Sequence, residues 1–234
     1  MICTVHQPNY LPYLGFFEKA YNSDIFILYD TTQFKKNDWQ NRNKLCIPGG
    51  WQWISMPILH DFGQKILEVK IKDPEKNLAK NWRSIKVIYG RAPFFKEYSS
   101  VYENIYNSAI EYISELNISI IKAAAEQLGL KTKFIKSSEL PELTTTSTQA
   151  LIDITRHVNA DTYISGAEGI NYLDMDLWNR TGLKIIFQKY THPLYTQFNS
   201  VEFQPYMNIL DLLFNCGPKS LEVLLNAKLK EDIK

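Results

Sequence analysis

Five short apolar runs separated by helical patterns constrain this chain most: Ile2–Val5, Ile25–Tyr29, Lys133–Ile135, Thr162–Ile164 and Lys184–Phe187. Each run is bounded by polar or turn-forming residues, as buried strands are. Helical patterns lie between most of them. Residues 11–22 form one. Residues 147–158 form another, with Ala150, Leu151, Ile154 and Val158 on one face and Ser147 or Thr148 as cap. Asp174 caps a third that ends near Gly182. Strands alternating with helices predict a Rossmann-like α/β fold, a mostly parallel sheet flanked by helices.

The middle breaks the alternation. Residues 44–128 read as an insertion: an antiparallel hairpin, then helices. In "CIPGGWQWISMP" a Pro-Gly-Gly turn precedes Trp51, Trp53 and Ser55 on one side and Gln52, Ile54 and Met56 on the other. Helices are expected over 75–89 and 97–128. The second is one long element with Tyr102, Ile105, Tyr106, Ala109, Ile110, Ile113 and Leu116 at helical spacing, a break near Asn117 and a stop at Gly129. Residues 205–228 close the chain as a helical pair split by Gly217-Pro218. The "TTTST" run at 144–148 is too short for a linker, and one domain over 1–234 is expected.

Charge excludes some partners. Lys+Arg number 26 and Asp+Glu 25, with no long run of one sign, so no footprint for duplex nucleic acid or an anionic membrane is present. No apolar run approaches the ~20 residues that span a bilayer. The strand starting at Ile2, with no basic stretch before it, points to a cytoplasmic protein without a signal peptide. Cys3, Cys46 and Cys216 follow no disulfide or zinc pattern and are expected as reduced structural thiols. No His/Cys/carboxylate set has metal-ligand spacing, so no metal is expected.

The polar residues fall where a parallel sheet would gather them. "HQPNY" follows the first strand, "DTTQF" the second, "SGAEG" the run 162–164 and "QKYTHP" the run 184–187. Parallel strands release these segments along one edge, where open α/β sheets bind ligands. His6 then becomes a candidate base, against the alternative of a strand-end histidine bonded to backbone. Asp30 is either a carboxylate that orients the base or a cap. Arg42, among the amides of "DWQNRNK", suits planar recognition of phosphate or carboxylate, unless that loop is merely solvated. The turn at Ser165 and Gly166 lets backbone N–H groups approach an anion. Gln7, Asn9, Tyr10, Gln33, Asn41, Tyr172, His192 and Gln197 are candidates for shaping the pocket. His60 and His157 are expected at the surface.

These blocks, taken in order, resemble a known family. "HQPNYLPYLGFFEKA" with "DTTQF" and "NRNK", then "YISGAEGINYLD", "HPLYTQF" and "NILDLLFNCGP", look like the WbqC-like protein family from His6 to about Pro218. Members are often encoded among surface-polysaccharide or O-antigen (lipopolysaccharide) genes, and some are described as glycine transferases that acylate an amino sugar. The resemblance therefore implies an acyl or aminoacyl transferase, or an amide-forming ligase, acting on a nucleotide-linked amino sugar. The succession of strand, Pro-bearing turn, glycine and helix is also similar to adenylyl-transferring enzymes such as pantothenate synthetase, which would imply ATP. Their H-x-G-H signature is missing: Leu11–Phe16 reads "LPYLGF", and the nearest histidine is His6. No other cofactor is implied, and the residues alone require none. The partners implied are the nucleotide-linked amino sugar and an amino-acid or acyl donor, with an aminoacyl-tRNA donor compatible. Two other readings remain: a module that binds a nucleotide-sugar or amino acid without chemistry, and a scaffold in a polysaccharide assembly complex.

Overall fold

All five apolar runs are strands of one parallel sheet. In a computed structural model that describes residues 1–226, β1 (Ile2–His6), β2 (Ile25–Leu28), β7 (Lys133–Lys136), β8 (Thr162–Ser165) and β9 (Lys184–Phe187) pair in the order β7-β2-β1-β8-β9. Cys3 stands opposite Ile25 on one side and Tyr163 on the other, so β1 is the central strand. The chain runs outward from β1 to β2 and β7. It then crosses back through α6 (Ser147–His157) to β8 and β9. The strand order thus reverses between β1 and β8, and this is where a ligand crevice opens in such folds.

Side chains alternate between the two faces, with a core on each. On β2, Phe26 and Leu28 join the larger core with Phe16 and Phe17 of α1 (Leu14–Tyr21). Ile27 instead meets Cys3, Val5, Ile152 and Ile154 in the smaller core beneath α6. Asp174 caps α7 (Met175–Asn179) by accepting from Leu177 N at 2.9 Å.

The insertion enlarges the first core. It contains the hairpin β3 (Arg42–Ile47) and β4 (Gly50–Ser55), the small pair β5 (Ile58–Leu59) and β6 (Lys70–Ile71), and α2 (Pro74–Tyr89). The long helix expected over 97–128 is three: α3 (Phe95–Tyr98), α4 (Ser100–Tyr106) and α5 (Ile113–Gln127). The interruption is at 107–112, not near Asn117. There the chain pairs with β6, Ile71 N donating to Glu111 O at 2.8 Å and Ile113 N to Val69 O at 3.0 Å. Strand-like bonds to a distant segment outweigh local helical spacing. Asn117 sits fully buried within α5.

The tail seals the same core through α8 (Ile209–Cys216) and α9 (Ser220–Asn226), separated by the Gly217-Pro218 turn. Residues 227 and 228 of the expected pair lie outside the described residues. The three cysteines are free, and burial raises the Cys3 thiol to about 11 and the Cys46 thiol to about 12. Among the described residues no helix is long and apolar enough to cross a membrane, and no cluster of His, Cys, Asp and Glu could hold a metal.

Candidate functional site

A cavity of about 890 Å³ opens at the carboxyl ends of the strands. β1 contributes His6 and Gln7, the segment after β2 contributes Thr31, Thr32 and Gln33, and Ser137 and Ser138 follow β7. The start of α6 forms another wall at Thr146 and Ser147, and Lys35 and Lys65 supply positive charge. α6 carries no acidic residue in its first turn and its N-cap, Thr146, makes no side-chain cap hydrogen bond. The free N–H groups and positive end of this 11-residue helix therefore remain available to an anion.

The loop after β1 is buried, although it has no regular structure. Pro8, Asn9, Tyr10, Leu11 and Pro12 are all buried, and Leu11 takes a left-handed φ of 48°. Buried backbone must find partners. The two prolines remove two donors, and side-chain amides satisfy the carbonyls. Asn117 Nδ2 donates to Pro8 O and Gln40 O, both at 2.8 Å. Asn43 Nδ2 donates to Tyr10 O at 3.1 Å and Leu11 O at 2.6 Å. Ile209 N reaches Pro12 O, and Tyr10 N reaches Trp39 O, each at 2.8 Å. Gln40 Nε2 donates to Gln7 Oε1 at 2.7 Å and so fixes the cavity wall.

His6 is held in one tautomer. Its Nδ1 lies 2.9 Å from Gln7 O, and a carbonyl only accepts, so Nδ1 carries the proton and Nε2 the lone pair. The ring stands edge-on to Phe16, with centroids 5.0 Å apart. Burial, reinforced by the nearby Lys19 charge, pushes the imidazole down to about 3, so it is neutral at ordinary pH. Lys19, on α1, is itself buried. Its Nζ is 3.4 Å from Val5 O and 5.7 Å from the Phe26 centroid, and burial lowers it to about 7 while Glu18 opposes the shift.

The candidates from the sequence divide into groups. His6, Gln7, Gln33 and Tyr172 line the cavity together. Asp30 lies at the same sheet edge but makes no hydrogen bond to His6. Its Oδ1 accepts from Ser137 Oγ at 2.8 Å and Ser138 N at 2.9 Å, and its Oδ2 from Ser138 Oγ at 2.7 Å. It thus builds the turn that presents those serines. Ser165 ends β8 and Gly166 follows it, with Ser165 fully buried and its Oγ 3.1 Å from Gly166 O, and like Asp30 neither lines the cavity. A Cβ on Gly169 would come within 1.9 Å of that Oγ, so the turn closes only over glycine.

The remaining candidates are elsewhere. Tyr10 is buried against Tyr106, their hydroxyls 2.6 Å apart. Asn9 is buried in the loop, and Asn41 Nδ2 holds Met56 O at 3.2 Å. Arg42 lies on the hairpin, stacked on Trp53. Gln197 is spent on Gln204 and on the buried carboxylate of Asp211. His192 Nδ1 donates to Pro193 O, within a cluster of Tyr190, Tyr195, Phe203 and Tyr206 rings. None of these six lines the cavity.

The sequence reading missed Lys35, Lys65, Ser137, Ser138 and the 145–147 segment. The serines had a signal, since "KSSE" follows a strand as the other polar segments do. Lys65 had none, because it arrives from the insertion through its bridge to Gln33.

Comparison with known proteins agrees with the resemblance in the motifs. "Uncharacterized protein Rv1507c" of Mycobacterium tuberculosis (strain ATCC 25618 / H37Rv) is 31% identical over 223 residues, which cover 93% of this chain and 95% of that protein. No solved structure matches the chain. The profile of one family matches residues 7–223, from the residue after His6 to α9. The chain belongs to the WbqC-like protein family.

Proposed function

We propose that the cavity binds a nucleotide-linked amino sugar and that the protein transfers an acyl or aminoacyl group, of the glycine type, to its amine. Such a step would belong to surface-polysaccharide (O-antigen) assembly. One observation carries this reading: the unprotonated Nε2 of His6 shares a hydroxyl-lined cavity with Lys35, Lys65 and the open N-terminus of α6. The lysines and helix N–H groups suit the phosphates. The amine attacks the activated carbonyl, the C–N bond forms, and the leaving group departs with the bonding pair. The ammonium proton of the adduct passes to His6 Nε2. A base so weak in the empty site receives protons only from an acidic donor, and that adduct is one. Lys35 and Lys65 take the anion-binding role assigned above to Arg42, and Asp30 acts through the Ser137–Ser138 turn.

The test is mass spectrometry of amino-sugar nucleotides incubated with ATP and a panel of amino acids, together with calorimetry of each component. His6→Ala should lower turnover by about 10²-fold or more while substrate affinity holds. Wild-type turnover in that variant would remove His6 as the base. A second reading, a binding module without chemistry, is favoured by the low basicity of His6. Tight nucleotide-sugar binding with no product from any donor would establish that reading instead.

A further inference from the structure

Five tryptophans are distributed unevenly. Trp82 and Trp178 are buried, while Trp39, Trp51 and Trp53 are gathered on one face of the hairpin region, each 40–42% exposed. Their ring centroids lie 5.7 Å apart for Trp39 and Trp53 and 5.2 Å apart for Trp51 and Trp53. Arg42 stands 4.4 Å over Trp53, and Lys44 stands 4.1 Å over Trp51. Lys35 and Lys36 are exposed in the preceding segment, and Lys35 also lines the cavity. Among the described residues no ion pair involves any of these four cations. Asp38, the sole carboxylate in residues 35–53, accepts from Trp39 N at 2.7 Å.

We infer that this face binds the single-stranded end of an RNA, leading it from the hairpin to the cavity mouth at Lys35. Four unneutralised cations call for a polyanion. Three exposed indoles between them offer stacking surfaces, the combination that single-stranded nucleic acid uses. A neutral glycan could stack on the indoles but would leave the four cations without counter-charge. A lipid surface would be met by a protruding apolar tip, yet the hairpin turn is Pro48-Gly49 and the tryptophans lie along the strands or before them. The hydroxyl-rich cavity suits a terminal ribose. This surface stands independently of the chemistry proposed for His6, although a donor carried on RNA would join the two.

Fluorescence anisotropy of a 5′-labelled oligoribonucleotide of about ten nucleotides tests it on the full chain. Trp53→Ala should weaken binding at least about fivefold, the loss of one stacked base. The double variant Arg42→Ala/Lys44→Ala should flatten the slope of log K against log salt by about 1.4. Circular dichroism should be unchanged in both, since the residues are exposed or half-exposed. Calorimetry of nucleotide-sugars should be unaffected, so failure here is separable from failure of the cavity reading. No binding of the oligoribonucleotide would overturn the proposal. So would equal binding of the same sequence as a duplex, or a preference for anionic phospholipid vesicles or an anionic polysaccharide.

Discussion

His6 lines the cavity while Lys19, whose charge reaches it, does not, and both are driven toward neutrality by burial. The consequence for stability follows from linkage. Lys19 binds its proton more weakly folded than unfolded, so stability rises with pH from about 7 toward the ordinary lysine value of 10.5. Below 7 both states are protonated and the full cost of burying the ammonium is present. Lys19→Met should therefore stabilise the protein by about 1–2 kcal/mol at neutral pH. Urea unfolding at pH 6.5 and 9 should show that gain shrinking as pH rises, and a gain independent of pH would refute the account. His6 works at the other end of the scale. Its folded value near 3 against an ordinary 6.5 means that stability falls as pH drops through that window. His6→Gln should flatten the acid limb between those two values, read by thermal melts at a series of pH values.

At the scale of elements, the segment after β1 is held by groups far away in sequence. Asn117 comes from α5 and Asn43 from β3, and each satisfies two carbonyls. Asn117→Ala and Asn43→Ala should each cost about 2–3 kcal/mol, because buried carbonyls are left unpaired. A loss below half a kcal/mol by denaturant titration would mean that water replaces the amides freely. The same bonds explain what sequence reading could and could not see. The three inner strands were legible because a buried parallel strand is an unbroken apolar run with polar ends, and the half-exposed edge strands β7 and β9 because each keeps a short apolar core beside a lysine. The amides of "DWQNRNK" were equally visible, but an amide offered to a ligand and one offered to a buried carbonyl look alike in one dimension. Gln40 and Asn43 serve the first loop and Asn41 serves Met56, so the arginine among them stands apart from the crevice. The break at 107–112 was hidden for a similar reason, since its cause lies in residues 69–71. The helix after "TTTST" was legible, but its cap is Thr146 rather than Ser147 or Thr148, and that this helix end walls the cavity was not.

On the scale of the whole molecule, the strand order puts β1 at the centre, and α8 and α9 close the core that α1 and β2 began. Met207, Ile209, Leu210, Leu212, Leu213 and Phe214 are all buried. Asn208 Nδ2 donates to Lys44 O at 2.6 Å, which ties the tail to the hairpin. A chain ending at residue 206 should keep much of its far-UV signal but lose near-UV signal and bind ANS, as compact states without fixed packing do. Native near-UV spectra from that truncation would show that α8 is dispensable. The pinned loop after β1 has a practical corollary for protein engineers. The loop that carries the His6 ring is not a portable cassette: grafting residues 2–21 onto a foreign parallel sheet would strand its carbonyls, because the clamps that shape it belong to three later stretches of chain.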